Sequence, residues 1–213
     1  MNIIFNILNT LLSSIFNFTG DWGVSIIILT LLVRLALLPI SIKQKISLDK
    51  QQEMSRKIED LKRKYSNDKK KLETEMKKHY EESAKGMLGC LVSLLQIPII
   101  SSLYFVITKM PAEVGTFIIP WVSSIKIADK YFIIPIIYML VSMCPGLLSY
   151  LNYFKSIKRT RTTKGNLISM AIFSIILTIK APVAIGLYFI TTSLFSLIEE
   201  IVYRIYMKNK ALT

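Results

Sequence analysis

Residues 20–45 read GDWGVSIIILTLLVRLALLPISIKQK, and this stretch decides the fold. From Val24 to Ile42 it holds nineteen residues and one charge, Arg34. Nineteen helical residues reach roughly 28 Å, about one hydrocarbon core. An arginine in the middle of such a span costs about 2.5–3.5 kcal/mol on insertion scales, so it persists only where it meets protein, water or a partner. Arg34 is also the first cation in the chain. Thr30 lies one turn before it and Ser41 two turns after, so the three share one helical face. Two placements satisfy such a residue: snorkelling to headgroups, or a polar cavity within the protein. The nearest basic neighbour, Lys43, is about 13 Å away along a helix, which favours the cavity.

Working outward, composition agrees with a membrane setting. The 213 residues are 52% hydrophobic, and mean hydropathy is +0.47. That balance fits an all-α polytopic membrane protein better than a soluble domain. The net charge of +13 is clustered, as membrane topology demands, and does not by itself indicate nucleic acid. Cys90 and Cys144 sit in apolar segments without metal-ligand spacing, and His79 is the single histidine. A multi-histidine metal site is therefore excluded, and the apolar part holds no Ser-His-Asp candidate. No GxxxxGK[ST] motif occurs, so neither ATPase activity nor a cofactor is expected.

Upstream, residues 1–19 space Asn2, Asn6, Asn9, Thr10, Ser13 and Asn17 by about one turn, with Ile, Leu and Phe between. This predicts an amphipathic helix lying in the membrane interface. An uncleaved signal or an extra span is the alternative, although a basic n-region is missing. Gly20-Asp21 ends this helix, and Trp22 stands where an interfacial aromatic belongs. Residues 20–43 form the first predicted span.

Residues 44–85 change character, with thirteen Lys/Arg and nine Asp/Glu. Met54, Ile58, Leu61 and Tyr65 step by four, three and four. Leu72, Met76, His79 and Tyr80 nearly repeat the pattern, and Ser66-Asn67-Asp68 is a turn signal. Two short helices in an antiparallel hairpin with a thin apolar seam are expected; a merely solvated hairpin is the alternative. Within residues 86–213, further spans fall at about 87–108, 131–151, 167–180 and 182–206, with a short basic tail. A break is expected at Cys144-Pro145-Gly146. A tight turn is expected at Lys180-Ala181-Pro182. In the loop at 109–130, residues Phe117 to Val122 are apolar enough to dip into the interface.

Five spans result. The hairpin, the loop with Lys155, Lys158, Arg159, Arg161 and Lys164, and the tail with Arg204, Lys208 and Lys210 fall on one side. The positive-inside rule makes that side cytoplasmic, with the N-terminus outside. Several spans carry a polar stripe: Thr30 and Arg34; Ser93 and Gln96; Thr192, Ser196 and Glu199 or Glu200. Together these suggest a single wet, cation-bearing cavity. The glutamates either neutralise Arg34 or sit in cytoplasmic water, and their closeness to Arg204 favours water.

These motifs together resemble the YidC membrane insertases, the bacterial branch of the Oxa superfamily. WGVSIIILTLLVRLALLPISIKQ looks like that family's arginine-bearing first span, and DLKRKYSNDKKKLETEMKKHYEE is similar to its cytoplasmic hairpin. GCLVSLLQIPIISSLYF is like its second span. YFIIPIIYML resembles the start of the third. APVAIGLYFITTSLFSLIEE follows the last, usually FPAGLxLYWxxSNLFSxxQQ. The resemblance implies five helices around a hydrophilic groove, open to cytoplasm and lipid and closed to the outside. It implies a bacterial plasma-membrane protein that inserts and helps fold nascent membrane proteins. The groove arginine would receive the polar or acidic outer segment of a client.

By this reading the groove comprises Arg34, Thr30, Gln96, Ser93, Phe189, Thr192, Ser193 and Ser196. Lys62, Arg63, Lys64, Lys69, Lys70 and Lys71 would recruit the ribosome or nascent chain, with the Sec translocon a further partner and no specific nucleic-acid recognition. The sequence departs from the family pattern at Phe189 for tryptophan, Thr192-Ser193 for SN, Glu199-Glu200 for QQ, and Lys85-Gly86 for NP. The signal peptide and lipid-modified cysteine of many Gram-positive members have no counterpart here. Two readings from other classes stay open on the residues alone: a small-anion transporter, although no internal repeat is evident, and a structural partner subunit whose helix pairs with Arg34.

Overall fold

A computed structural model describes residues 2–65, 96–109, 114–151 and 163–212. These residues form helices joined by loops and contain no strand. Helix α1 is Asn2–Thr19, α2 Trp22–Lys64, α3 Gln96–Lys109, α4 Ile133–Leu147, α5 Lys164–Thr178 and α6 Val183–Leu212. A 3-10 turn, Leu148–Tyr150, extends α4. By length and composition three stretches can cross a membrane: α2, α4 with its 3-10 turn, and α6. Helices α3 and α5 contain shorter apolar stretches.

The chain forms two compact units. One comprises Met1–Ala36, Ile97–Ile157 and Arg161–Thr213; the other comprises Leu37–Gln96 and Lys158–Thr160. The division inside α2 falls in the turn where Pro39 removes the N–H that would bond the Leu35 carbonyl. Helix α2 nevertheless continues for 43 residues. The sequence suggests a span and a separate first hairpin arm, but the structure joins them. Between Pro39 and Lys64 there is no glycine or second proline, and good helix formers dominate, so nothing stops the helix. The second hairpin arm lies outside the described residues. A similar correction applies to α4, which runs through Pro145 to Leu147 without breaking at Cys144. A proline so near the C-terminus deletes only one helical bond, and the chain then tightens into the 3-10 turn.

The core of the first unit draws on every helix that enters it except α5. Leu8 and Leu12 of α1, Ile26 and Leu29 of α2, and Leu103, Val106 and Ile107 of α3 are buried together. Val183, Ala184, Ile185, Leu187, Tyr188 and Phe189 of α6 join them. Helix α1 is stopped by Gly20, whose φ of +69° suits glycine and whose N–H donates to the Phe16 carbonyl at 2.7 Å. Trp22 then stacks on Phe16 with centroids 3.9 Å apart, so this aromatic ties α1 to α2.

The connection at 114–132 is a cap built on alternating residues. Val114, Ile119, Val122 and Ile125 are buried, whereas Phe117, Ile118 and Trp121 are exposed. The stretch from Phe117 to Val122 is therefore shared between the core and the surface. Asp21, only 2% exposed, holds the cap. Its Oδ1 accepts from the Val24 N–H at 2.8 Å, capping α2, and from the Thr116 hydroxyl at 2.8 Å. Its Oδ2 accepts from the Phe117 N–H at 2.9 Å. Asp129 works alike, accepting from the Tyr131 and Ile134 N–H groups at 3.0 and 2.8 Å at the start of α4. The first amides of α6 are satisfied by loop carbonyls: Val183 donates to Ile127 at 2.9 Å and Ala184 to Ile125 at 3.0 Å. The N-termini of α2, α4 and α6 are thus bound to one loop, and the three helices begin at the same end of the unit.

Candidate functional site

The site is built from faces of α2 and α6. On α2, Ile26, Thr30 and Arg34 repeat every fourth residue. Ile26 and Thr30 are buried and Arg34 is half-buried, while Leu31, Leu32 and Leu35 on the other side are exposed. The Thr30 hydroxyl donates to the Ile26 carbonyl at 2.6 Å, which leaves its oxygen able to accept. The helix therefore turns its single mid-span cation toward protein and Leu31, Leu32 and Leu35 away.

Helix α6 carries the longer polar face. Thr191, Thr192, Glu199, Glu200, Tyr203 and Arg204 are buried, and Ser193 and Ser196 are half-buried. Leu194, Ile198, Val202 and Ile205 form the exposed apolar face. Thr191 donates back to the Leu187 carbonyl at 2.8 Å. The Thr192 Oγ1, by contrast, is buried with no hydrogen-bond partner among the described residues. Phe189 is 8% exposed and stacks on Tyr138 of α4 at 5.1 Å. It supports the α4–α6 packing as much as any groove wall.

The glutamates overturn one expectation. Cytoplasmic water is favoured from sequence, yet Glu199 and Glu200 are 9% and 7% exposed. Glu200 accepts from the Arg204 Nε at 2.7 Å, and Arg204 is itself buried. The spacing of four places guanidinium and carboxylate side by side on the face that α6 turns inward. Burial of both charges carries a desolvation cost that only close pairing offsets. This pair escapes the sequence reading, although its spacing was a visible signal. Asp21 and Asp129 escape it too; an aspartate directly before an apolar helix is the signal that finds them.

The remaining candidates divide by position. Gln96 is the first residue of α3, and its side chain lies outside the described residues, as does Ser93. Lys62, Arg63 and Lys64 are exposed in the last turn of α2, where cations suit the helix dipole. Lys69, Lys70 and Lys71 lie outside the described residues. No group of three His, Cys, Asp or Glu residues suited to a metal occurs among the described residues.

Arg34 is half-buried on the apolar first half of α2, and the polar stripe of α6 lies on a helix long and apolar enough to cross a membrane. Comparison with known sequences agrees with that setting: the 60Kd inner membrane protein family matches residues 14–210. The chain belongs to this family. Among similar members of the 60Kd inner membrane protein family is the membrane protein insertase YidC of Aquifex aeolicus, 33% identical over 92% of this chain and 38% of its own length. That of Helicobacter pylori is 30% identical over 94% of this chain and 36% of its own length. That of Caldanaerobacter subterraneus is 29% identical over 92% of this chain and 91% of its own length. The chain thus spans little more than a third of the first two family members and most of the third.

Proposed function

We propose that this chain is a membrane protein insertase that also helps its clients fold. The observation that carries this reading is Arg34: a cation in an apolar span, on the same face as buried Thr30 and opposite exposed leucines. The proposed architecture has five spans, the shorter apolar helices α3 and α5 completing the set with α2, α4 and α6. A hydrophilic groove lined by Arg34, Thr30, Gln96, Ser93, Phe189, Thr192, Ser193 and Ser196 opens to cytoplasm and lipid. Helix α1 lies in the outer interface. The N-terminus is outside and the C-terminus in the cytoplasm of a bacterium, as the distribution of cations favours.

In this mechanism the basic hairpin, with Lys62, Arg63 and Lys64 at the end of its first arm, meets the ribosome or nascent chain. The Sec translocon is a further partner. A short polar outer segment of the client enters the groove, where Arg34 attracts its acidic groups more strongly than water allows. The client's apolar helix then partitions into lipid, at about 0.8 kcal/mol per buried methylene, and the polar segment leaves outward. Partitioning supplies the driving force, so no nucleotide is consumed.

The test is reconstitution in vesicles with two single-span clients that differ only in an acidic or neutral outer segment. Arg34→Ala lowers insertion of the acidic client at least tenfold and of the neutral client much less, while Arg34→Lys retains most activity. Equal insertion of both clients by Arg34→Ala would remove the arginine from the mechanism.

A further inference from the structure

The cap at 114–132 does more than close over the core. We propose that Phe117, Ile118 and Trp121 form a lipid anchor, seated at the headgroup–acyl boundary of the leaflet at which α2, α4 and α6 begin. The cap's inward residues, Ile119 and Val122, are packed, while Phe117 is 74% exposed and Ile118 and Trp121 are each 39% exposed. Exposed aromatics on a mobile loop would say little. These are held: the Phe117 N–H donates to buried Asp21, the Ile118 N–H to the Thr116 hydroxyl at 3.2 Å, and the Val122 N–H to the Ile119 carbonyl at 3.2 Å. The rings are fixed outward by the backbone that fixes the core.

Their height along the membrane follows from the same bonds. Asp21 is the N-cap of α2, a helix able to span, so Phe117 lies level with the first turn of that span. Further along the cap, Tyr131 and Phe132 are exposed immediately before α4, and the exposed face continues through Ile133, Ile136 and Leu140 of that helix. Tyr131 and Phe132 thus carry the exposed apolar face of α4 into the cap. Trp and Tyr favour this depth because an apolar ring and a polar N–H or O–H are satisfied there together. The occupant is phospholipid: the aromatics stand level with the first turn of a helix long and apolar enough to span, and Lys130, suited to a headgroup, is exposed beside Tyr131.

The chain's two tryptophans make the test direct. Full-length protein is reconstituted in phosphatidylcholine–phosphatidylglycerol vesicles containing lipids brominated either near the top or near the end of the acyl chain. Trp22→Phe leaves Trp121 as sole emitter. Trp121→Phe reports the Trp22 background, so the wild-type difference isolates Trp121 even where loss of the Phe16 stack harms folding. Trp121 is expected to emit blue-shifted light, to be quenched at least twofold more by shallow than by deep bromine, and to resist aqueous acrylamide. Absence of bromolipid quenching overturns the proposal, whether acrylamide reaches the ring, which would place it in water, or fails to, which would place it under protein. The insertion assay is independent of this readout, so either reading can fail alone.

Discussion

Removing the carboxylate of Asp21 should unfasten the cap from the bundle. The side chain is 2% exposed and accepts three hydrogen bonds, from Val24 N–H, Thr116 Oγ1 and Phe117 N–H, all within 2.9 Å. Loss of the helix cap alone costs about 1 kcal/mol. Each of the other two bonds goes to a charged acceptor and contributes about 1.5 kcal/mol or more. The loss in Asp21→Ala is therefore about 3–4 kcal/mol, allowing for partial solvation of the freed donors. Asp21→Asn keeps an oxygen for Val24 and Thr116 but turns an NH2 toward the Phe117 N–H, which costs about 1–3 kcal/mol. Thr116→Val removes its bond to Asp21 and the one it accepts from the Ile118 N–H, costing about 2–3 kcal/mol, and only the second, about 1 kcal/mol, is still there to lose when Asp21 is already alanine. Equilibrium unfolding in mixed micelles, followed by the fluorescence of Trp22 beside the site, measures all four variants. Amide exchange at Phe117 reports the same contact locally. An Asp21→Ala protein within about 0.5 kcal/mol of its parent, with the Phe117 amide still protected, would refute the reasoning.

Other consequences follow from particular contacts. Glu200→Ala removes the acceptor of the buried Arg204 Nε and should cost about 1.5–3 kcal/mol in the same unfolding measurement, whereas Glu200→Gln, which keeps an acceptor oxygen, should cost less. A Cβ on Gly186 would collide with Cγ2 of Ile134, so Gly186→Ala should force α4 and α6 apart at about 1–3 kcal/mol, and Ile134→Ala in the same chain, which deletes that methyl, should recover part of it. Thr192→Val removes a buried hydroxyl that has no partner among the described residues. It should leave stability unchanged or slightly raised, while lowering insertion of the acidic client if that hydroxyl serves the groove.

How much was legible in the sequence depends on which physics each feature uses. Arg34 stands out because one charge in nineteen residues is visible without any contact. The inward turn of α6 is legible from Thr192, Ser196 and Glu199 at helical spacing. The burial of Glu199 and Glu200 was not, because nearness in sequence to a cytoplasmic tail suggests water, and only packing decides whether that face is covered. The continuity of α2 through Pro39 was obscured by an abrupt change in polarity from apolar span to charged arm; composition changes the solvent of a helix without ending it. The cap was least legible. Asp21 and Thr116 lie 95 positions apart, and no local pattern announces that a capping aspartate also holds a distant loop.

The bonds between that loop and α6 also set an order of assembly. Ile127 and Ile125 offer their carbonyls to Val183 and Ala184 respectively, residues that leave the ribosome long afterwards. At about 5–20 residues per second, the interval is roughly 3–11 s. Throughout it the loop has its tether to Asp21 available but lacks its partners on the final helix. The cap is therefore completed only when the first turn of α6 is made. Until α6 arrives, two carbonyls of the loop wait for amides that lie more than fifty residues further along the chain.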